Sequence, residues 1–145
     1  LLLHALKYSL QRAIDRMLGP ARPAEGMAGL VALLEAALPL SPESRTEWWL
    51  FESSWARAAI SKRVEAENSR RYAWWHAEVL RRIESAQAAG ELPPGADAEL
   101  LAEHIKVITD GLGLAILRHP DAFPRERVIA HIEAALAALA AAPPR

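Results

Sequence analysis

The sequence predicts an all-α fold, a six-helix bundle-like domain, on three observations. Apolar residues recur at steps of three and four in six separate segments, the stripe a helix lays on a core. Proline and glycine fall between those segments, where helices start and stop. Nowhere do apolar and polar residues alternate as a half-buried strand requires, and no internal repeat is present. At 145 residues the chain suits one domain with a real core, and its mix of about half apolar and a quarter charged residues is that of a globular protein.

The first helix is expected from Leu2 to Leu18. Leu3, Leu6, Leu10, Ile14 and Met17 form its stripe, and Gly19-Pro20 ends it. A second starts near Pro23, with Glu25 favoured by the positive end of the helix dipole, and carries Met27, Leu30, Val31, Leu34 and Leu38 as far as Pro39. Ser41 caps the third, with Pro42 in its first position. That helix reaches about Ile60 and sets Trp48, Phe51 and Trp55 on one face, with Glu52 beside them. The fourth, from about Lys62 to Ala89, has Tyr72, Trp75, Val79, Ile83 and Ala86 as its stripe. Its Glu78 and Arg82 stand at the spacing of a helical ion pair. Trp74 falls on a different stripe, with Glu78 and Arg81, and is expected to be half exposed. Gly90 ends this helix, and GELPPGAD is a loop.

The fifth helix, Asp97 to His119, is the one around which the chain is expected to be organised. Leu101, Ile105, Ile108, Leu112 and Ala115 form one apolar stripe; Leu100, His104, Val107, Gly111 and Leu114 form a second beside it. A helix apolar on two faces must be covered twice, once by its own domain and once by a partner subunit. Gly111 and Gly113 each cost roughly 1 kcal/mol relative to Ala in a helix interior. A close-packed neighbouring helix or a ligand would account for them. After HPDAF turns the chain, Pro124 opens a last helix whose stripe is Val128, Ile132, Ala135 and Leu139, widened by Ile129 and Leu136. Its small Ala137, Ala138, Ala140 and Ala141 allow close packing on a neighbour.

The chemistry of the chain excludes several classes. Cysteine is absent, which removes disulfides and thiolate zinc sites and fits a reducing, cytoplasmic location. No run approaches the roughly 18 apolar residues of a membrane span. A net charge of −1 offers no general attraction to phosphate, and Arg70, Arg71, Arg81 and Arg82, interleaved with glutamates, read as solvated helix surface. The five histidines, His4, His76, His104, His119 and His131, include no pair at three or four residues' spacing, so no helical metal site and no cofactor is expected. No phosphate-cradling loop and no nucleophile motif is present, which argues against an enzyme. Asp110 stands four residues after Lys106, an ion-pair spacing.

What remains is a pocket. Trp48, Phe51 and Trp55 are expected to face Tyr72 and Trp75 across two helices, with Met17 and Met27 as adaptable walls and Glu52 as a lone carboxylate. His76 flanks the aromatic stripe, and Ile108 completes the candidate ligand-binding set. A carboxylate among aromatic rings suits an apolar cation. Core filling is the competing reading of the same aromatics.

The order of these features resembles the C-terminal ligand-binding and dimerisation domain of the tetracycline-repressor (TetR) family of bacterial transcription regulators. The residues that carry the resemblance are the Trp48-rich helix, Tyr72 with Trp75 three later, Gly90-Glu91-Leu92 before Asp97, Ala102, and Asp110-Gly111-Leu112. The opening Leu1 to Ala5 resembles the family's helix that follows its DNA-reading helix-turn-helix. Residues 1–19 would then connect to such a domain, which the 145 residues do not include. The chain opens without Met in the middle of a helical pattern, and residues upstream of Leu1 are expected.

The resemblance implies a homodimer whose last two helices form a four-helix bundle, and a small-molecule effector pocket among the earlier ones. Leu100, His104, Val107, Gly111, Leu114, Val128, Ile132, Ala135, Leu136 and Leu139 are accordingly expected at the dimer interface. A charge at Ile108 or Leu136 is expected to break it. The effector would release DNA by changing the spacing of two reading heads, which otherwise fit half-sites about 34 Å apart. DNA would be contacted only through the N-terminal domain. Two other readings compete: a helical homodimeric adaptor without a ligand, and a helical enzyme or lipid-binding protein.

Overall fold

The structure is a computed structural model that describes residues 1–19 and 25–141. It has six α-helices, α1 (Leu2–Met17), α2 (Gly26–Ala37), α3 (Pro42–Ala58), α4 (Lys62–Ala88), α5 (Ala98–Arg118) and α6 (Arg125–Ala141), with a 3-10 turn at Pro120–Ala122. There is no strand among the described residues. The expected all-α, six-helix class is the one observed.

Local sequence sets most helix ends. Ser41 and Ser44 cap α3 reciprocally: the Ser41 hydroxyl accepts from the Ser44 amide at 3.1 Å, and the Ser44 hydroxyl accepts from the Ser41 amide at 2.9 Å. Asp97 caps α5 by accepting from the amides of Glu99 and Leu100. Gly90, at φ +75°, lets the chain leave α4 in a left-handed conformation closed to most side chains. The expected start of α2 at Pro23 lies outside the described residues, and the described helix begins at Gly26.

Its first amides are capped from elsewhere in the fold. Gly26 N–H donates to the Ser85 hydroxyl at 3.1 Å and Met27 N–H to the Glu91 carboxylate at 3.4 Å. Glu25, the residue at the cap position, makes no cap of its own; the Arg81 guanidinium holds its carboxylate instead.

The fold centres on α4, not on α5. At 27 residues α4 is about 40 Å long, and it packs on α1, α2, α3 and α5 along that length. The core gathers where α2, α4, α5 and α6 meet: Leu30, Leu33, Ile83, Ile116 and Val128 are each at most 1% exposed. Arg82 on α4, read from the sequence as solvated, is buried, and it pairs with Glu78 at 2.5 Å as the spacing required.

The last helix departs from expectation. Val128, Ile132 and Leu136, expected between subunits, are 0%, 2% and 3% exposed and pack inward. A helix with one apolar stripe must first cover its own core. Ala135 and Leu139 are half-buried at the edge of that core, while Ala130, Ala134, Ala137, Ala138 and Ala141 face outward. A charge at Leu136 would therefore unfold the chain before it could test an interface.

Candidate functional site

A cavity of about 260 Å³ opens between α1, α3, α4 and α5. Its rings come from two helices. Trp48, Phe51 and Trp55 stand three and four residues apart on α3, so they share a face. Tyr72, Trp74 and Trp75 project from α4 on the opposite side. Core filling does not account for all of these α3 aromatics: Trp48 packs one side against the core, but Phe51 is half-buried apart from it and Trp55 is 49% exposed. The fully buried side of α3 is polar, with Ser44, Glu47 and Ser54.

Two anchors hold the wall. Trp48 Nε1 donates to the Ala37 carbonyl at 2.7 Å, pinning the ring to the end of α2. Gly113 of α5 lies under the same ring, where a Cβ would stand 2.0 Å from Trp48 Cη2. Of the two accounts for this glycine, close packing holds, and what packs there is a wall of the cavity. Gly111 has open space around it.

Three acids and three bases line the cavity, and they are not equivalent. Arg16 holds Glu47 through both terminal nitrogens, at 2.6 and 3.3 Å, and also donates to the Ala36 carbonyl. Lys106 is paired with Asp110 and lies 5.4 Å from the Tyr72 ring centroid. Arg71 stacks its guanidinium 4.2 Å from the Phe51 centroid and 6.0 Å from that of Trp55. Burial pulls the Arg71 pKa down while Glu52 and Asp110 oppose the shift, and the group remains a cation at neutral pH. Glu52 lines the cavity and makes no hydrogen bond or ion pair with a described residue. Among the described residues no cluster of His, Asp or Glu has the arrangement of a metal site.

The structure brings together Trp48, Phe51, Glu52, Trp55, Tyr72 and Trp75 from the sequence-derived set, and leaves out two. His76 stacks on the outer side of Tyr72, with centroids 6.1 Å apart, and its Nε2 meets Glu99 at 2.6 Å, tying α4 to the first turn of α5. Ile108 lies about 160° round α5 from Asp110, at 100° per residue, and faces α2 and α6 with Leu34, Leu38 and Ile132. Met17 contributes to the wall; Met27 does not.

The sequence reading also missed Arg71, Trp74, Lys106 and Asp110 as lining residues. Arg71, taken for solvated surface, stands three and four residues before Trp74 and Trp75, and that spacing was the signal that they share a face. Of the second stripe on α5, Leu100 and Val107 are 40% and 70% exposed, and His104 and Gly111 are exposed beside them. Leu114 turns into the cavity. A seven-residue step drifts about 20° per repeat on a straight helix, and two repeats carry Leu114 from the outward face toward Asp110.

Six helices with an aromatic cavity among them make a protein with a small-molecule site of the kind helix bundles hold. Residues 26–141 match the C-terminal domain of BetI-type transcriptional repressors, so the chain belongs to that branch of the TetR family. Solved structures agree. A protein described as a transcriptional regulator from Saccharomonospora viridis, in complex with choline, superposes with a TM-score of 0.82 at 25% identity, over 92% of this chain and 69% of that one. A TetR-family regulator from Rhodococcus sp. gives 0.76 at 22% identity, over 97% and 73%. A regulator from Pseudomonas aeruginosa PAO1 gives 0.73 at 20%, over 97% and 66%. The last two show the fold alone. No curated protein matches the sequence. Among the described residues no helix is long and apolar enough to cross a membrane.

Proposed function

We propose that this chain is the effector-sensing and homodimerising part of a cytoplasmic TetR-type repressor, and that its effector is a small organic cation with an alkylated ammonium head. The observation that carries the reading is Glu52. It is a carboxylate without a hydrogen-bonding partner among the described residues, set in a cavity with six aromatic side chains. Ring faces attract a desolvated cation by about 0.5–2 kcal/mol each, and a nearby carboxylate supplies the balancing charge. The cavity volume lies just below the roughly 300–1,000 Å³ of ordinary small-molecule sites, which favours a compact ligand. The choline complex of the Saccharomonospora viridis regulator supports the same class.

A second copy of the chain is proposed to cover the exposed Leu100, His104, Val107 and Gly111 on α5, next to the outward alanines of α6. Effector binding would reach DNA through an N-terminal reading domain of the kind the family carries, with release of DNA as the outcome.

Four of the five tryptophans line the cavity, so their fluorescence reports its occupancy. Choline is expected to quench it saturably, and 3,3-dimethylbutan-1-ol, of the same shape without the charge, to bind at least tenfold more weakly, a difference of about 1.4 kcal/mol. Glu52→Gln should weaken choline by a similar factor and leave the neutral analogue unchanged. Equal affinity for the two probes, or a Glu52→Gln protein that binds choline like the parent, removes the cation. No saturable quenching by either leaves the ligand-free dimer as the better account.

A further inference from the structure

Of the three cations at the cavity, two are fixed. Arg16 is held by Glu47 and the Ala36 carbonyl, and Lys106 by Asp110. Arg71 is different: among the described residues it has no hydrogen-bond or ion-pair partner, and what holds it is the Phe51 ring at 4.2 Å and the Trp55 ring at 6.0 Å. Those two faces belong to the aromatic cavity itself. Glu52, next to Phe51 and three residues before Trp55 on α3, is the cavity carboxylate with no partner of its own among the described residues, and its charge, together with that of Asp110, acts on Arg71.

Resting on the cation reading above, we propose that Arg71 is a resident plug of the site. Its guanidinium occupies the Phe51 and Trp55 faces that an incoming alkylammonium head would take, and the ligand binds by displacing it. The arrangement suits exchange. A planar guanidinium stacks well on rings, yet without a hydrogen bond it has no directional tie to break on leaving. Arg71 is half-buried, with exposed Arg70 and Tyr72 as its chain neighbours, so a change of rotamer can carry its head toward solvent. The displaced head and the incoming one are both cationic, so Glu52 keeps a counter-charge before and after. The plug also sets a threshold: a ligand must outcompete a cation that is present at an effectively fixed local concentration, and weakly binding amines do not.

The test compares the parent chain with Arg71→Met, which keeps an unbranched apolar stem and removes the head. Tetramethylammonium and 3,3-dimethylbutan-1-ol are titrated against tryptophan fluorescence and by calorimetry. Both are expected to bind Arg71→Met about tenfold more tightly than the parent, the neutral probe included, because the ring faces are vacated. Tetramethylammonium tightening alone, with the neutral probe unchanged, means that Arg71 acts only as a charge at a distance, and overturns the plug. Binding by the parent with equal or weaker binding by Arg71→Met overturns it too, while the cation reading stands. Failure of both proteins to bind either probe overturns the two together. If Arg71→Met does not fold, Arg71→Lys carries the test. Its compact ammonium stacks less well, so tetramethylammonium should bind more tightly than to the parent; unchanged or weaker binding overturns the plug.

Discussion

Trp48 and Gly113 show how a single residue's role depends on what stands opposite it. Gly111 and Gly113 are alike in the sequence, two positions apart on one helix. In the fold, Gly113 faces the Trp48 ring at less than contact distance for any added carbon, and Gly111 faces open space. Replacing either by Ala gains up to about 1 kcal/mol of helix propensity. At Gly113 this is outweighed by overpacking, which costs about 1–3 kcal/mol when the neighbour cannot retreat. Trp48 cannot retreat freely, because its indole N–H is bonded to Ala37. Gly113→Ala is therefore expected to lower the melting temperature by a few degrees and to disturb choline quenching, because the displaced ring is a cavity wall. A Gly113→Ala protein as stable as the parent, with unchanged quenching, would show that the ring is not pinned.

At the scale of elements, α3 and α5 carry their start signals within a few residues, and both are legible as Ser41-Pro42 and Asp97. The first described amides of α2 have no such local partner, because they find Ser85 and Glu91, 59 and 64 residues further along the chain. The same junction has a titratable clip. The Ser85 hydroxyl first, and the Arg81 guanidinium second, hydrogen-bond the Glu25 carboxylate and hold its pKa below the ordinary 4.5. A carboxyl whose pKa is lower folded than unfolded stabilises the fold above about pH 4.5, and that contribution is lost as the pH falls through the lower folded value. Glu25 is solvent-facing and the effect is screened, so the change is modest. Melting curves from pH 6 to pH 3 should fall less steeply for Glu25→Gln than for the parent. Identical slopes would mean that the clip does not link α2 to α4.

For the whole molecule the deciding element is α5, which has three faces. One side packs Leu101, Ile105 and Ile116 into the core, a second gives Lys106, Asp110 and Leu114 to the cavity, and a third leaves Leu100 and Val107 outside. A ligand that moves the second face moves the third with it, because a helix is rigid across its own width. Under the proposed dimer, Val107→Glu places a charge where the second copy should sit. It is expected to give a folded monomer by analytical ultracentrifugation, with helicity unchanged. Ile132→Glu buries a charge inside one subunit and is expected to lose helicity and cooperative melting together. A dimeric Val107→Glu protein would move the interface elsewhere.

The class of fold, the six helices and most of their ends, and the aromatic set Trp48, Phe51, Trp55, Tyr72 and Trp75 were all legible in the chain, because periodicity and capping act within one or two helical turns. The pairing of Glu78 with Arg82 was legible for the same reason. What only the tertiary structure decided are matters of rotation between helices. Ile108 turns to α6 while Asp110, two residues on, turns to the cavity; Val128, Ile132 and Leu136 face inward while neighbouring alanines face out; Arg71 stacks on Phe51 although its neighbour Arg70 reaches for Glu67. A stripe in a sequence fixes which residues lie together on a helix, but it does not fix what the helix turns toward. That depends on the packing of every other helix around α4, and no local signal carries it.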